Sequence, residues 1–349
     1  MKEIFGQRLL NARKQAGFSQ DELVDKIEGL VKKTAIAKYE RGEMMPKPKV
    51  IEMLAKVLKQ PMDYFFKPIS LSITKVEFRA KSSMGARLEE QLRQTIANGT
   101  ERYLELEELL GLNSVFVNPF EGVVISSSEQ IEHYAAELHN IWHLGKNPLG
   151  SIMGILEDQG IKVIEIESTN HFEGFSALAN NKYPVIVVRK NATTERRRFT
   201  ALHELAHTLF LFDEGLPASK VEKLCHQFAG AVLIPREVFF REFGSYRTDF
   251  SRRELGIIKD KYGISAIAFV KRASDLGVIS QPRLIPLYSM LRKDPLEKHI
   301  GSNNSTDNAT RFDQLLVRAL TEGYISLAKA AELAQLELDT FIQNYTDND

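Results

Sequence analysis

The sequence predicts a mostly helical α+β fold, and three observations predict it. Apolar residues recur at helical spacing along most of the chain, whereas alternating or β-rich runs are limited to 69–80 and to three short runs within 162–189. A length of 349 residues with 43% hydrophobic and 26% charged residues is ordinary for two or three globular domains. This composition excludes a disordered chain and a coiled-coil rod, and no run of apolar residues is long enough to predict a membrane span.

The charge of the whole chain is balanced, but its distribution is not. Lys plus Arg and Asp plus Glu each total 46, so no overall field attracts the protein to nucleic acid or membrane. Residues 1–68 hold 14 basic and 9 acidic side chains, which makes this segment +5 and the remainder −5. Cys225 is the only cysteine, which excludes a disulfide framework and fits a reducing compartment. These features predict a soluble, cytoplasmic protein.

Changes in pattern divide the chain into four segments. Short helices punctuated by prolines predict a domain over 1–68, and alternating and then helical patterns predict an extended and helical connector over 69–126. Helices around three short β-rich runs predict a domain with a small antiparallel sheet over 127–282. A helical unit is expected over 283–349, and it includes the polar linker 301–310.

The first segment has the pattern of a nucleic-acid-binding domain. Ser19 and Glu22 form a capping box that starts the second helix, and Gln20 lies at its N-terminus, where the helix dipole favours phosphate. The next helix presents the side chains at its exposed start and outer face, namely Lys32, Lys33, Thr34, Ala35 and Lys38. A helix, a sharp turn and a second helix with basic excess predict major-groove binding. The alternative is a small four-helix core with a solvated lysine face.

Two stretches of this segment carry a resemblance. GQRLLNARKQAGFSQDELVDKIEG and TAIAKYERGEMMPKPKVIEMLAKVL resemble the Cro/C1-type helix-turn-helix of the XRE family of repressors. The resemblance implies that Gln20 contacts phosphate, that Thr34, Ala35 and Lys38 lie near base edges with Lys33 beside them, and that a homodimer binds a two-fold-related operator. The chain departs from the family at EGLVKK (28–33), where relatives have a small polar turn, so we expect a longer turn here.

A second motif lies on a helix predicted over about Thr194 to Phe212. It is His203-Glu204-Leu205-Ala206-His207. Residues four apart share a helix face, so both imidazoles can bind one Zn²⁺ while Glu204 reaches a water on that metal. The motif predicts a zinc site with a general base, and the alternative is a helix with two incidental histidines.

A second pair of histidines with the same spacing can be compared with this motif. His139 and His143 are also four residues apart on a predicted helix, but no glutamate follows His139. We therefore expect these two histidines to be structural rather than metal ligands.

Two histidines leave a zinc site incomplete, so a third ligand is required. The helix predicted from VEKLCHQFAGAVLIP (221–235) offers Glu222, Cys225 and His226. Helical periodicity does not choose among these three.

RRRFTALHELAHTLF followed by VEKLCHQFAGAVLIP is similar to the ImmA/IrrE family of zinc-dependent peptidases, and the similarity covers about 127–282. It implies a zincin-like domain in which His203, His207 and Glu222 bind Zn²⁺ and Glu204 is the catalytic base. Many relatives have a second acid and an Asn or Asp where this chain has Leu224 and His226. His226 therefore stays an alternative that replaces or supports Glu222.

The implied chemistry is metal-assisted peptide hydrolysis, for which His171, Tyr246 and Arg247 are oxyanion-stabilising candidates by residue type alone. One hypothesis is a DNA-binding regulator that cleaves a repressor, another regulatory protein or itself in response to a signal. The other is a DNA-binding antitoxin or repressor whose peptidase-like domain binds a partner such as a toxin without proteolysis. The helices of 311–346 are interpreted as a partner-docking surface, with a second helix-turn-helix-like unit as the alternative.

Overall fold

The computed structural model describes residues 1–68, 71, 73–74, 86–112, 115–167, 172–293 and 307–345. The helices in chain order are α1 (Lys2–Gln15), α2 (Gln20–Lys26), α3 (Lys33–Glu40), α4 (Pro48–Leu58), α5 (Ala86–Leu109), α6 (Ser128–Ile141), α7 (Ile152–Asp158), α8 (Thr194–Leu209), α9 (Ala218–Leu233), α10 (Arg236–Phe243), α11 (Arg252–Tyr262), α12 (Ala266–Asp275), α13 (Gln281–Lys293), α14 (Arg311–Thr321), α15 (Leu327–Ala334) and α16 (Leu338–Tyr345). The strands are β1 (Ile73–Thr74), β2 (Val124–Ile125), β3 (Lys162–Ile166), β4 (Gly174–Ala179), β5 (Tyr183–Arg189) and β6 (Leu211–Phe212). The mostly helical α+β fold class is confirmed.

The contacts within the chain define two compact units. The first comprises Met1–Ser114, Leu178–Lys182 and Thr310–Asp349, and the second comprises Val115–Ala177 and Tyr183–Ala309. These units divide the expected segments 69–126 and 283–349, each of which contributes to both. A segment that is continuous in sequence need not bury its apolar face against its sequence neighbours, so the composition of a core does not follow from chain order.

The N-terminal part of the first unit is a helical bundle. Helices α1 to α4 and a 3₁₀ helix at Met62–Phe66 enclose an apolar core that includes Phe5, Leu9, Leu23, Ile36, Leu54 and Phe65. The capping box at Ser19 and Glu22 is confirmed, with the Glu22 backbone N–H donating to Ser19 Oγ at 3.1 Å. A Cβ on Gly6 would lie 2.4 Å from the backbone oxygen of Tyr39, so glycine is required for α1 to approach α3 this closely.

The rest of the first unit is built on α5 and the C-terminal helices. Their shared apolar core contains Tyr103, Leu106, Leu315, Leu316, Ala319, Ile325, Ala330, Ala331, Leu333 and Phe341. Arg102 of α5 also donates to the backbone oxygen of Leu333 at 2.5 Å. Helices α14 to α16 therefore share one apolar core with α5.

The main sheet of the second unit is mixed, which corrects the expected antiparallel sheet. Strands β4 and β5 are neighbours joined by a tight turn at Asn180 and Asn181, which have φ angles of 50° and 53°. Strand β3 lies on the other side of β5 and runs parallel to it, from Lys162 opposite Val185 to Ile166 opposite Arg189. Alternating apolar residues predict a strand but not its direction, and the hairpin leaves only one edge of β5 for β3.

Two short pairings complete the described strands. Strand β1 pairs antiparallel with Leu178 and Ala179, the part of β4 that belongs to the first unit. Strands β2 and β6 pair in parallel, and this pairing shortens the helix predicted to reach Phe212. Phe210 adopts extended backbone angles of φ −117° and ψ 150°, so α8 ends at Leu209.

One residue of the expected polar linker, Asp307, is buried. Asp307 is only 2% exposed, and its carboxylate accepts hydrogen bonds from the backbone N–H groups of Ile152 and Met153 at the start of α7. Residues 301–306 lie outside the described part of the chain. None of the described helices combines the length and apolar character of a membrane-spanning segment.

Candidate metal centre and nucleic-acid interface

Helix α8 carries the HExxH motif and is held by its cap and by burial. The Thr193 side chain accepts a hydrogen bond from the Arg196 backbone N–H and starts the helix. Its apolar residues, among them Ala201, Leu202, Leu205, Ala206 and Leu209, lie in the core of the second unit. The two histidines are one turn apart, and α9 packs against α8. The helix therefore presents His203 and His207 on one face as a rigid pair.

Three side chains converge between α8 and α9. Nε2 of His203 lies 3.2 Å from Oε2 of Glu222, and Nε2 of His207 lies 3.5 Å from Oε1 of the same carboxylate. The ligand atoms of all three residues lie within 4.8 Å of one another. Both imidazoles thus direct the same ring nitrogen towards one carboxylate.

This arrangement fits a divalent transition metal. Two imidazole nitrogens and one carboxylate oxygen are a donor set typical of catalytic zinc, which leaves a fourth position open. Bonds of about 2.0 Å in a tetrahedron separate ligand atoms by about 3.3 Å, close to the separations between Glu222 and the two histidines. Each residue therefore needs only a small adjustment to hold a metal ion.

The electrostatics of Glu222 favour its charged form. Partial burial alone would raise its pKa, but hydrogen bonds from His203 and His207 outweigh that effect and lower the pKa of this carboxyl. An ionised carboxylate beside two imidazoles is the state that a metal ion requires.

The remaining ring nitrogens of the two histidines differ in their surroundings. Nδ1 of His207 lies 3.7 Å from the buried thiol of Cys225, whereas the buried Nδ1 of His203 has no hydrogen-bond partner among the described residues. Cys225 thus lies behind His207 rather than among the converging ligand atoms. Of the three candidates on α9, the structure brings Glu222 to the histidine pair.

His226 contacts the site from one side. Its ring centroid lies 4.4 Å from that of His203 and 5.8 Å from that of Phe199, while part of the ring is exposed. Removal of water from the packed ring face, together with the neighbouring His203, lowers the pKa of His226 to about 4. The imidazole is therefore neutral at neutral pH and packs on a metal-ligand candidate without joining the three converging groups.

Glu204 is a buried carboxylate next to this cluster. It is 8% exposed, and burial raises its pKa despite the nearby histidines. Ser176 Oγ on β4 donates a hydrogen bond to Glu204 Oε2 at 3.2 Å. Sequence reasoning missed Ser176 because nothing in an alternating strand pattern identifies which side chain faces a distant helix.

The other histidine pair has a structural environment. The buried ring of His139 lies between two backbone oxygens, with Nε2 2.7 Å from that of Val232 and Nδ1 3.1 Å from that of Gly145. His143 follows the end of α6 and has a left-handed φ of 52°. These contacts agree with the structural interpretation of both residues.

The structure describes two of the three oxyanion candidates. Tyr246 is 73% exposed in the loop after α10, and Arg247 forms an ion pair with Glu254 at 2.8 Å. His171 lies outside the described residues. Their proposed role stays a prediction from residue type.

The candidate nucleic-acid interface is the outer face of α3. Lys33, Thr34 and Lys38 are exposed and Ala35 is half-buried, whereas Ile36 and Tyr39 are buried in the bundle. The turn before α3 contains two consecutive left-handed residues, Glu28 and Gly29. Helix α2 ends at Lys26 and α3 begins at Lys33, so the structure has the longer turn expected from EGLVKK.

Two of the predicted DNA-contacting residues have partners within the bundle. Gln20 donates to Glu40 Oε2 at 2.8 Å, and Glu40 is also paired with Arg13 at 2.5 Å. Lys33 Nζ lies 2.6 Å from Asp21 Oδ2, in an exposed ion pair. Lys33 can exchange this partner for phosphate at little cost, because such surface pairs contribute only about 0–1 kcal/mol.

Two protein-family models match this chain. Residues 9–65 match a helix-turn-helix family, and residues 156–274 match the IrrE N-terminal-like domain of peptidase family M78. The two resemblances stated from the sequence are thereby confirmed. A search of curated proteins finds no match.

Proposed function

We propose that this chain is a DNA-binding transcriptional regulator whose second unit is a zinc-dependent endopeptidase. The observation that carries the proposal is the buried Glu204 carboxylate beside the converging His203, His207 and Glu222 side chains. A purely structural zinc site needs ligands but no adjacent base, so this extra carboxylate favours hydrolysis over a structural role.

Each residue has a defined part in the proposed reaction. His203, His207 and Glu222 would hold Zn²⁺, which supplies a polarised scissile carbonyl and a water of lowered pKa. Glu204 accepts the proton of the attacking water on its carboxylate and delivers it to the leaving nitrogen. The raised pKa of Glu204 suits it to both transfers, because a carboxyl poised nearer neutral pH both accepts and releases a proton.

The helix-turn-helix domain would link the peptidase to the regulation of transcription. We propose that a homodimer binds a two-fold-related operator through Lys33, Thr34, Ala35 and Lys38, with Gln20 near phosphate. In this scheme a signal activates cleavage of a repressor or another regulatory protein, including this chain itself, in the cytoplasm.

The Glu204→Gln variant tests the proposal. Glutamine keeps the side-chain shape but is not a base, so zinc content and operator binding should stay at the parent level while proteolysis falls about 10²–10⁴-fold. Zinc is measured by elemental analysis of purified protein, and cleavage by immunoblots of the chain and its neighbouring regulators under several stresses. Glu214→Gln, which changes an exposed glutamate, is the matched control.

Two outcomes would overturn the proposal. Identical immunoblots and reporter output in parent and Glu204→Gln strains would instead favour an antitoxin or repressor that binds a partner without cutting it. Loss of zinc from Glu204→Gln would show that Glu204 is a ligand rather than the base.

A further inference from the structure

Strand β4 approaches the HExxH helix at two positions that share one face. Successive side chains of a strand point to opposite faces, so residues 174 and 176 face the same way. Gly174 lies against α8, and Ser176, two residues later, reaches the carboxylate of Glu204. The strand and the helix thus meet where the proposed base is held.

Glycine is required at the first of these positions. A Cβ on residue 174 would lie 2.4 Å from Cγ2 of Thr200 and 2.8 Å from the backbone oxygen of Val187. Contacts this short force the backbone to move. Gly174 therefore sets how closely β4 packs on the turn of α8 that precedes Glu204.

Because the strand lies this close to the helix, Ser176 at the second position reaches the carboxylate of Glu204. Its Oγ lies 3.2 Å from Oε2 of Glu204, and Ser176 is 7% exposed while Glu204 is 8% exposed. A hydroxyl that donates to a carboxylate in a buried site restricts its rotation, because the alternative orientations leave a polar atom without a partner.

We propose that Gly174 and Ser176 position the Glu204 carboxylate for proton transfer, an inference that rests on the proposed peptidase function. Ser176 holds Oε2, which leaves Oε1 as the atom that accepts the proton of the attacking water. Ser176 contacts neither substrate nor the three converging ligand candidates in this scheme. It is a positioning residue that acts through Glu204.

Thr208 provides a matched control within the same helix. Its Oγ1 donates to the backbone oxygen of Glu204 at 3.0 Å, so Thr208→Ala removes a hydroxyl bonded to the same residue but not to its carboxylate. Ser176→Ala removes the bond to the carboxylate, and Ser176→Thr keeps the hydroxyl.

The experiment uses full-length protein and a probe that requires no identified substrate. The protein is loaded with Co²⁺ in place of Zn²⁺ and titrated with acetohydroxamate while the absorption spectrum is recorded. Acetohydroxamate suits this test because the base beside the metal would accept its acidic proton. Zn²⁺ affinity of each variant is measured separately by competition with a chromophoric chelator. Ser176→Ala should bind the hydroxamate about 10- to 100-fold more weakly at unchanged Zn²⁺ affinity.

The controls separate positioning from packing. Ser176→Thr and Thr208→Ala should retain parental hydroxamate affinity, and Gly174→Ala should weaken it as Ser176→Ala does, because the strand must withdraw from α8. The proposal is overturned if Ser176→Ala binds hydroxamate like Thr208→Ala, or if it loses Zn²⁺ affinity in parallel. Absence of metal binding in the parent protein would defeat the peptidase function itself. If the parent binds metal normally and Ser176→Ala has parental hydroxamate affinity, only the positioning role is defeated.

Discussion

Arg198 of the HExxH helix and Asp307 form a buried ion pair. Nη1 of Arg198 lies 2.7 Å from Oδ2 of Asp307, and the two side chains are 5% and 2% exposed. Burial lowers the pKa of Arg198, and Asp307 opposes that effect. Ser151 donates to the same carboxylate at 2.7 Å. A residue from the expected linker therefore joins the start of α7 to the HExxH helix.

Asp307→Ala should destabilise the second unit strongly. Removing one partner of a buried pair leaves an uncompensated charge on Arg198, which typically costs about 3–5 kcal/mol. The free energy of unfolding, measured by urea denaturation, should fall by an amount in this range. Asp249→Ala is the control, since Asp249 is 49% exposed in its pair with Arg283 and such pairs contribute about 0–1 kcal/mol. Equal losses in the two variants would contradict the structural role of Asp307.

His203→Ala should abolish stable zinc binding. We expect one zinc per chain in the parent, because three protein ligands and a water complete a catalytic site. Bound metal should also raise the thermal midpoint of the parent but not of this variant, since a ligand that binds only the folded state stabilises it. Elemental analysis and thermal denaturation are the measurements, with the exposed His133→Ala as control. Full zinc occupancy in His203→Ala would disprove the assignment.

Combined replacement of Thr34 and Lys38 by alanine should weaken operator binding. Both side chains are exposed on α3, which lies within the residues that match the helix-turn-helix family and is the proposed recognition helix. We expect affinity for a two-fold-related duplex to fall at least about tenfold and the salt dependence to become less steep, because a phosphate or base contact is lost. Fluorescence anisotropy at several salt concentrations measures both effects. Lys56→Ala, an exposed lysine of α4, should bind normally; parental affinity in the double variant would show that α3 is not the recognition helix.

Glu22 should make the stability of the first unit dependent on pH in acid. The Ser19 backbone N–H, the Ser19 hydroxyl and Arg87 lower the pKa of Glu22 to about 2. Because an unfolded glutamate titrates near about 4.3, this stabilisation is complete above that pH and is lost as the pH falls through about 2. Between these two pH values, the thermal midpoint of Glu22→Gln should therefore change less with pH than that of the parent. Parallel curves for both proteins would exclude a contribution from this carboxylate.

The local features of both domains followed from the sequence. Residues three and four apart on a helix are neighbours whatever the rest of the protein does, so the pairing of His203 with His207 and the capping box at Ser19 needed no tertiary information. The buried and exposed faces of α3 followed for the same reason, since Ile36 and Tyr39 occupy one face and Lys38 another. Two distinct sequence patterns thus sufficed to identify both types of domain.

Only the tertiary structure decided the relationships between elements. Glu222, Cys225 and His226 lie within about one turn of α9, and the angle at which α9 packs on α8 brings Glu222 to the histidines. The parallel pairing of β3 with β5, the reach of Ser176 to Glu204 and the burial of Asp307 likewise depend on packing. Sequence periodicity records which face of an element is apolar, but contacts between distant elements depend on how those faces fit together, which no local pattern encodes.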